Sequence, residues 1–196
     1  MTAGHCYDYL EQAYRDTSPA ESPSDAKKLG LVRRSAWGSS GSKGVTDAEA
    51  IRVDPDVRSG NVFFGNPYAL LPIHGVTGIG IGSTMCWSGI RGGLNCGPAR
   101  RLHFVEYDGR WTRQVEFSGG DVEGDSGGPA WNPRSLKAVG LFTSWRFTAA
   151  HPCHNLRPGV KYCWLGGITP LVPYGNRANP FGALNALHLE LVRGDF

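Results

Sequence analysis

Short β-branched and aromatic segments, separated by glycine-rich turns, run along almost the whole 196-residue chain. Glycine occurs 28 times, about twice its usual share, and charged residues make up only 19% of the chain. Frequent turn signals between short segments do not suit a helical bundle, whose helices need longer periodic stretches. The pattern is typical of a turn-rich β protein, and it predicts an all-β fold built as a barrel or a sandwich.

Eight segments are predicted strands, because β-branched and aromatic residues fill them and turn signals bound them. They are residues 30–37, 48–53, 61–64, 73–87, 99–107, 111–117, 138–145 and 164–171. Asp108 and Gly109, which separate two of them, are a strong hairpin signal. Helical spacing predicts two short helices, at residues 7–14 and at residues 181–192.

The bulk properties limit the classes of function. The net charge is only +3, and the Lys and Arg residues are scattered rather than gathered in a basic stripe, which argues against a nucleic-acid partner. No apolar run reaches the ~18 residues that a membrane span needs. The 40% apolar content suffices for a core, and the length suits one ordinary domain or two small packed halves.

One serine lies in the run Gly-Asp-Ser-Gly-Gly-Pro at residues 124–129. A serine nucleophile needs open space around its hydroxyl and backbone N–H donors for the developing oxyanion, and flanking glycines permit both. The N–H groups of Gly124 and Ser126 are the candidate donors. The run also matches the Gly-x-Ser-x-Gly pattern of α/β-hydrolases, which requires a helix directly after the serine. Gly-Gly-Pro follows instead, and Asp195, the only later Asp, lies beyond every His, so this alternative is rejected.

A serine nucleophile also needs a general base, and the base needs a carboxylate that fixes its tautomer. His5, in the stretch Thr-Ala-Gly-His-Cys, is the candidate base. Asp47 stands at the head of an apolar-alternating strand and is the candidate orienting carboxylate. The order His, Asp, Ser along the chain is one of the known orders of a catalytic triad.

Three stretches together resemble the chymotrypsin-like serine peptidase family: TAGHC at residues 2–6, DAEAIRV at 47–53 and GDSGGPAW at 124–131. They are most similar to its secreted bacterial branch, which includes the streptogrisins. GSTMCWSGIRGGLNCG, at residues 82–97, resembles that branch's Cys-turn-Cys segment. The resemblance implies an all-β fold of two packed six-stranded barrels, with the active site in the cleft between them.

The resemblance also implies an endopeptidase that works through an acyl-enzyme. Ser126 would attack the scissile carbonyl, His5 would move the proton and Asp47 would hold His5. Residues 1–70 would be the remnant of the first barrel, and residues 71–196 would be the second barrel with the substrate pocket, ending in a helix. The alternative function is that of a non-catalytic homologue whose cleft only binds protein segments.

The position of the candidate base suggests that the chain is a fragment. In relatives, several strands of the first barrel precede the catalytic His, whereas His5 follows Met1 almost at once. The Cys after that His bonds to an upstream Cys in the family, and Cys6 has none. We therefore expect an N-terminally truncated secreted protein that lacks its signal peptide, folds poorly and hydrolyses little as it stands.

Four other cysteines form two close pairs, Cys86 with Cys96 and Cys153 with Cys163. Residues 151–163 contain two His and two Cys, so zinc is an alternative for the second pair, although the spacing matches no standard finger. Resemblance to a secreted family favours disulfides for both pairs. It further implies no metal or cofactor, a protein or peptide substrate, no membrane partner, and a monomer.

In this family the Asp before the nucleophile, here Asp125, needs a buried cationic partner. Bacterial relatives often supply an Arg just after the first Cys of the Cys-turn-Cys segment, where this chain has Trp87. Arg91, Arg100 and Arg101 are the candidate substitutes, and the sequence leaves the choice among them open.

The substrate pocket follows from the same resemblance. Its floor lies six residues before the nucleophile, at Gly120, with Asp121 beside it. Its wall follows Ser144 and Trp145, and relatives with a deep pocket then have Gly where this chain has Arg146. A long cationic side chain at the rim narrows the entrance and repels Lys or Arg, so we expect a preference for small or medium apolar residues before the cut. Asp121 would reverse this preference if it paired with a basic side chain.

Overall fold

The computed structural model describes residue 3 and residues 12–15, 27–35, 46–56, 62–66, 69–89, 91–107, 110–146, 148–158, 160–172 and 182–186. In these residues it contains strands and one helical turn: β1 (Gln12–Arg15), β2 (Lys27–Ser35), β3 (Glu49–Val53), β4 (Val62–Asn66), β5 (Ala69–Pro72), β6 (Thr84–Gly89), β7 (Gly93–Tyr107), β8 (Arg110–Val122), β9 (Pro129–Asn132), β10 (Lys137–Arg146), β11 (His154–Arg157), β12 (Val160–Pro170) and α1 (Ala183–Ala186).

Six of these strands close into a barrel. Around it they follow the order β6, β7, β8, β12, β10 and β9, each antiparallel to the next, and β9 pairs back onto β6. β11 adds to β12 as an antiparallel branch. Closure satisfies the backbone hydrogen bonds that the edges of an open sheet would leave unpaired. The prediction of an all-β fold is confirmed.

Aromatic rings fill the barrel. The Trp87 and Phe117 rings lie 4.0 Å apart between centroids, and Phe142 meets Phe117 edge-on at 6.0 Å. All three side chains are buried, with Val115 and Ile168 in the same cluster. This layer fixes β8 and β10 against each other, and these are the strands that lead into the predicted nucleophile turn and form the predicted pocket wall.

The strands before the barrel form a three-stranded antiparallel sheet of β1, β2 and β3 and a hairpin of β4 and β5. Ala48 and Ala50, at the head of β3, are buried in a cluster with Ala138 and Leu141 of the barrel strand β10. Small side chains at these positions allow the two parts of the chain to approach closely. The segment that carries Asp47 is therefore packed against the barrel.

The helix predicted at residues 7–14 is wrong where the structure describes it. Gln12–Arg15 is the strand β1, antiparallel to β2, and residues 7–11 lie outside the described residues. Two turns of helical spacing are too short to form a stable helix alone. Pairing with a neighbouring strand therefore decides the local conformation.

The single bent strand predicted at residues 73–87 is also wrong. β5 ends at Pro72 and β6 begins only at Thr84. Gly75 and Gly82, between them, have φ angles of 119° and 82°, which the extended conformation of a strand does not allow. The intervening residues instead cross to β10, where Val76 forms an isolated bridge with Ala138.

The hairpin signal is confirmed, because Tyr107 of β7 pairs with Arg110 of β8 across residues 108–109. The C-terminal helix stays a prediction: the structure describes one turn, Ala183–Ala186, and residues 187–192 lie outside the described residues. No helix in the described part of the chain is long and apolar enough to cross a membrane.

Both cysteine pairs are disulfides. Cys86 is bonded to Cys96 across the hydrogen-bonded β6–β7 pair, and Cys153 is bonded to Cys163. The second bond occupies the two thiols that a zinc site at residues 151–163 would need, so that alternative is wrong. Among the described residues, no group of three or more His, Cys, Asp and Glu side chains is arranged to hold a metal ion.

Removing the first disulfide should lower stability measurably. The double substitution Cys86→Ser with Cys96→Ser opens a loop with a sequence separation of 10. Loss of that constraint on the unfolded chain is worth about 2–3 kcal/mol in the chain-entropy account. Urea unfolding of both proteins, without reductant, measures the difference. A loss below about 0.5 kcal/mol would contradict the expected contribution.

Candidate functional site

The turn that carries Ser126 connects β8 to β9, and backbone hydrogen bonds tie it to β10. The N–H of Gly127 donates to the carbonyl of Phe142 at 2.7 Å, and the N–H of Phe142 donates to the carbonyl of Gly128 at 2.8 Å. Phe142 is itself locked in the aromatic core. The half-buried Ser126 is therefore held by a rigid part of the barrel.

Two N–H groups of this turn have no acceptor within the described residues. The N–H groups of Asp125, Gly127 and Gly128 donate to backbone carbonyls. No described residue accepts a hydrogen bond from the N–H of Gly124 or of Ser126. Gly124 has a φ of 101°, which residues with a side chain rarely adopt, so glycine is needed here for the turn to form.

Asp125 is buried and binds backbone amides rather than a guanidinium. Its Oδ1 accepts from the N–H of Arg91 at 2.8 Å, and the N–H of Gly92 lies 3.1 Å from both carboxylate oxygens. Burial raises the pKa of Asp125 above its usual range, while these bonds and the nearby Arg91 charge lower it. Of the three candidate arginines, Arg91 is thus the one beside Asp125.

The sequence could have indicated this amide pair. Gly92 follows Arg91 directly, and a Cβ at Gly92 would collide with the carboxylate of Asp125. A glycine pair inside the Cys-turn-Cys segment, between Cys86 and Cys96, is the sequence signal of so close a backbone approach. Arg100 and Arg101 lie elsewhere, against Glu116 of β8.

The structure describes two of the three predicted triad residues. Asp47 is 4% exposed and lies between the buried Thr46 and Ala48, just before β3. Ser126 lies in the turn between the barrel strands β8 and β9. His5 lies outside the described residues. The structure therefore gives the positions of the candidate nucleophile and carboxylate, and the base that would link them stays a prediction.

The predicted pocket wall forms the end of β10 and is supported by polar side chains of β8. The hydroxyl of Ser144 donates to Oε1 of Gln114, and Nε2 of the same amide donates to Thr112 at 3.0 Å. Both groups of the Gln114 amide are thus fixed. Trp145 carries the ammonium of Lys161 over its ring, 5.2 Å from the centroid. These contacts hold Ser144 and Trp145 in defined orientations.

Comparison with known proteins rests on structure. No family model and no curated protein matches the chain. Thermobifida fusca protease A superposes with a TM-score of 0.66 at 22% identity, covering 98% of this chain and 83% of that one. Nocardiopsis protease superposes with a TM-score of 0.60 at 20% identity, covering 95% of this chain and 81% of that one. Cellulomonas bogoriensis chymotrypsin superposes with a TM-score of 0.59 at 20% identity, covering 87% of this chain and 77% of that one.

The chain has the bacterial chymotrypsin-like fold. The fold implied by the sequence resemblance is therefore confirmed. The closed six-stranded barrel consists of β6 to β12 without β11.

Within this chymotrypsin-like fold, Asp121 is a fully buried carboxyl group. Neither of its oxygens has a hydrogen-bond partner among the described residues. Burial, and next the charge of Asp125, raise the pKa of Asp121 to about 9. The group is therefore a neutral acid at neutral pH. Gly120 beside it faces Tyr162, whose hydroxyl would lie 2.6 Å from a Cβ at that position.

Sequence reasoning missed a row of polar side chains on β8. Thr112, Gln114 and Glu116 are all buried, on the strand face opposite the core residues Val115 and Phe117. The alternation of polar and apolar residues from 114 to 117 was the available signal. A strand that buries polar groups on one face needs partners for them there, and the strands β7 and β10 supply these partners.

Proposed function

We propose that the chain is a serine endopeptidase in which Ser126 is the nucleophile, His5 the general base and Asp47 the carboxylate that orients His5. The observation that carries the proposal is the turn of Ser126 in a chymotrypsin-like fold. It offers a half-buried serine beside two N–H groups, of Gly124 and Ser126, that bind no described acceptor. The three similar structures are proteases by name.

The proposed reaction has two halves. In the first, Ser126 attacks the scissile carbonyl while His5 takes the hydroxyl proton, and His5 then gives that proton to the leaving amine, so that an acyl-enzyme forms. In the second, water attacks the ester, His5 takes the water proton, and the proton returns to Ser126 as the acid leaves. The N–H groups of Gly124 and Ser126 would stabilise the oxyanion of both tetrahedral intermediates.

The packing of Asp47 supports its role. Its segment is buried against β10, the same strand whose Phe142 holds the nucleophile turn. A division into residues 1–70 with His5 and Asp47, and residues 71–196 with Ser126, would place the triad where the two parts meet. A carboxylate excluded from water interacts more strongly with an imidazolium than an exposed one does.

We further propose a secreted, monomeric enzyme that acts on protein or peptide substrates without a metal or cofactor. The two disulfides support an oxidising compartment, because cytosolic thiols are kept reduced. Such a compartment is where a protease that degrades external protein would act.

Fluorophosphonate labelling tests the proposal directly. A fluorophosphonate probe should label Ser126 covalently, as peptide mapping would show, and strong labelling of the chain as it stands would overturn the expectation that it folds poorly and hydrolyses little. The labelling rate should rise between roughly pH 5.5 and 8, because His5 accepts the proton only when neutral and an unperturbed imidazole has a pKa near 6.5. Chelators should not change it. A folded chain that binds peptides but takes no label at any pH would indicate the non-catalytic homologue instead.

A further inference from the structure

A buried glutamate holds arginine side chains at the end of β10. Glu116 is 3% exposed, and its carboxylate lies 3.2 Å from Nη2 of Arg101 and 3.2 Å from Nη1 of Arg146. Nε of Arg101 donates to the other oxygen at 3.2 Å, and Nε of Arg100 lies 4.0 Å from it. The three guanidinium-bearing side chains are 34% to 59% exposed. The buried carboxylate of Glu116 therefore holds three guanidinium groups together at the surface.

Arg146 reaches Glu116 across an intervening strand. In the sheet, Ser144 of β10 pairs with Gly167 of β12, which in turn pairs with Glu116 of β8. A Cβ at Gly167 would collide with the side chains of Gln114 and Ser144. Because Gly167 has no side chain, side chains of β10 and β8 can meet over β12.

Glu116 holds the guanidinium of Arg146 in place, but most of its N–H donors bind no described acceptor. Of its five N–H donors, only one, on Nη1, binds a described acceptor, the Glu116 carboxylate. The remaining donors have no partner within the described residues. A carboxylate is the group that binds two guanidinium N–H donors side by side.

The local charge favours an anion. Three arginines face the one carboxylate of Glu116, which leaves a surplus of positive charge. His103 beside them adds none at neutral pH, because burial, and then the charge of Arg146, lower its pKa to about 4. Asp121 is a neutral acid there, since its pKa is raised to about 9. A basic substrate side chain would meet net repulsion.

The arginine also lies on the strand that holds the nucleophile. Phe142, whose backbone binds both sides of the Ser126 turn, is four residues before Arg146 on β10, or about 13 Å along a strand. A long arginine side chain and the side chain of a bound substrate can bridge that distance together.

We propose that Arg146, held by Glu116, binds an acidic side chain of the substrate, so that the enzyme cleaves after Glu or Asp. The inference rests on the proposed serine peptidase function. It replaces the expectation of a small or medium apolar residue, which treated Arg146 as a side chain that narrows the entrance and repels Lys or Arg. Arg146 is here the specificity-determining residue, and Glu116 is a positioning residue.

Four peptides that differ only in the residue before the cleaved bond test this assignment. With Glu, its neutral isostere Gln, Leu or Lys at that position, kcat/KM should be highest for Glu. The ratio of Glu to Gln should be about tenfold to a hundredfold, the range of hydrogen bonds to charged groups. Arg146→Ala should lower this ratio at least tenfold.

Two further variants make the result specific. Arg134→Ala removes the same charge from an exposed turn between β9 and β10, and it should leave the ratio unchanged. Should Arg146→Ala fail to fold, as judged by lost labelling, Arg146→Lys decides the question: it keeps the charge but not the paired donors, and should lower the ratio severalfold.

Labelling of Ser126 distinguishes a failure of the proposed protease function from a failure of the proposed preference for Glu or Asp. Absence of both labelling and hydrolysis would overturn the protease function and this inference with it. Labelling combined with fastest cleavage after Leu, or an unchanged ratio in Arg146→Ala, would overturn the inference alone. Fastest cleavage after Lys would also overturn it.

Discussion

Ser126→Ala should reduce peptide hydrolysis by at least about 10⁴-fold and abolish fluorophosphonate labelling. Without the hydroxyl no acyl-enzyme can form, and the remaining oxyanion donors provide only the residual rate that enzymes without their nucleophile retain. The fold should be unaffected, because the Ser126 side chain makes no hydrogen bond to a described residue. Initial rates and thermal unfolding of both proteins measure these effects.

A matched control is available in the next turn of the chain. Ser135 is exposed between β9 and β10, and among the described residues only Asn132 binds it, through the backbone N–H of Ser135 at 3.2 Å. Ser135→Ala should therefore retain full hydrolysis and labelling. If Ser126→Ala kept a tenth of the activity, the nucleophile would have to be assigned elsewhere.

The nucleophile turn was readable from the sequence because its geometry is local. Gly124, Gly127 and Gly128 are spaced for one reversal of the backbone, and two of them, Gly124 and Gly127, do adopt positive φ. The hairpin at residues 108–109 is local in the same sense. The barrel was predictable as a class from the density of short strands, and its identity came from the resemblance of three short stretches.

Strand register could not be read from the sequence, and the polar groups of the site depend on it. Arg146 and Glu116 are 30 residues apart and meet only because β12 places Gly167 between them. The amide partners of Asp125 lie 34 and 33 residues before it. The glycine pair at residues 92–93 indicates a close backbone approach but not which residue approaches, and no local signal marks the contact of Arg146 with Glu116. Listing arginines as candidate partners therefore left the choice open.

Burial was equally hidden for Asp121. In the sequence, Asp121 is an acidic residue beside the predicted pocket floor. Its pairing with a basic side chain of the substrate was therefore a reasonable alternative. In the structure it is fully enclosed without a hydrogen-bond partner among the described residues, and its pKa of about 9 makes it neutral. The charge of a carboxyl group is set by its environment, which the sequence does not specify.

Asp47→Asn should reduce hydrolysis by about 10⁴-fold with little loss of stability. The amide has nearly the volume of the carboxylate, so the buried segment between Thr46 and Ala48 can keep its packing. An amide N–H, however, donates to the imidazole nitrogen that should itself donate, and this favours the tautomer that cannot accept the proton of Ser126.

The pH dependence distinguishes an orienting role of Asp47 from a structural one. A neighbouring carboxylate stabilises an imidazolium, so if Asp47 orients His5, its removal should move the midpoint of the labelling profile to lower pH. A purely structural defect would lower the rate at every pH and leave the midpoint in place. Asp56→Asn, in the exposed turn after β3, is the control, and its rate and midpoint should match those of the unchanged chain. Full activity of Asp47→Asn would show that another residue orients the base, because an amide cannot stabilise the imidazolium as a carboxylate does.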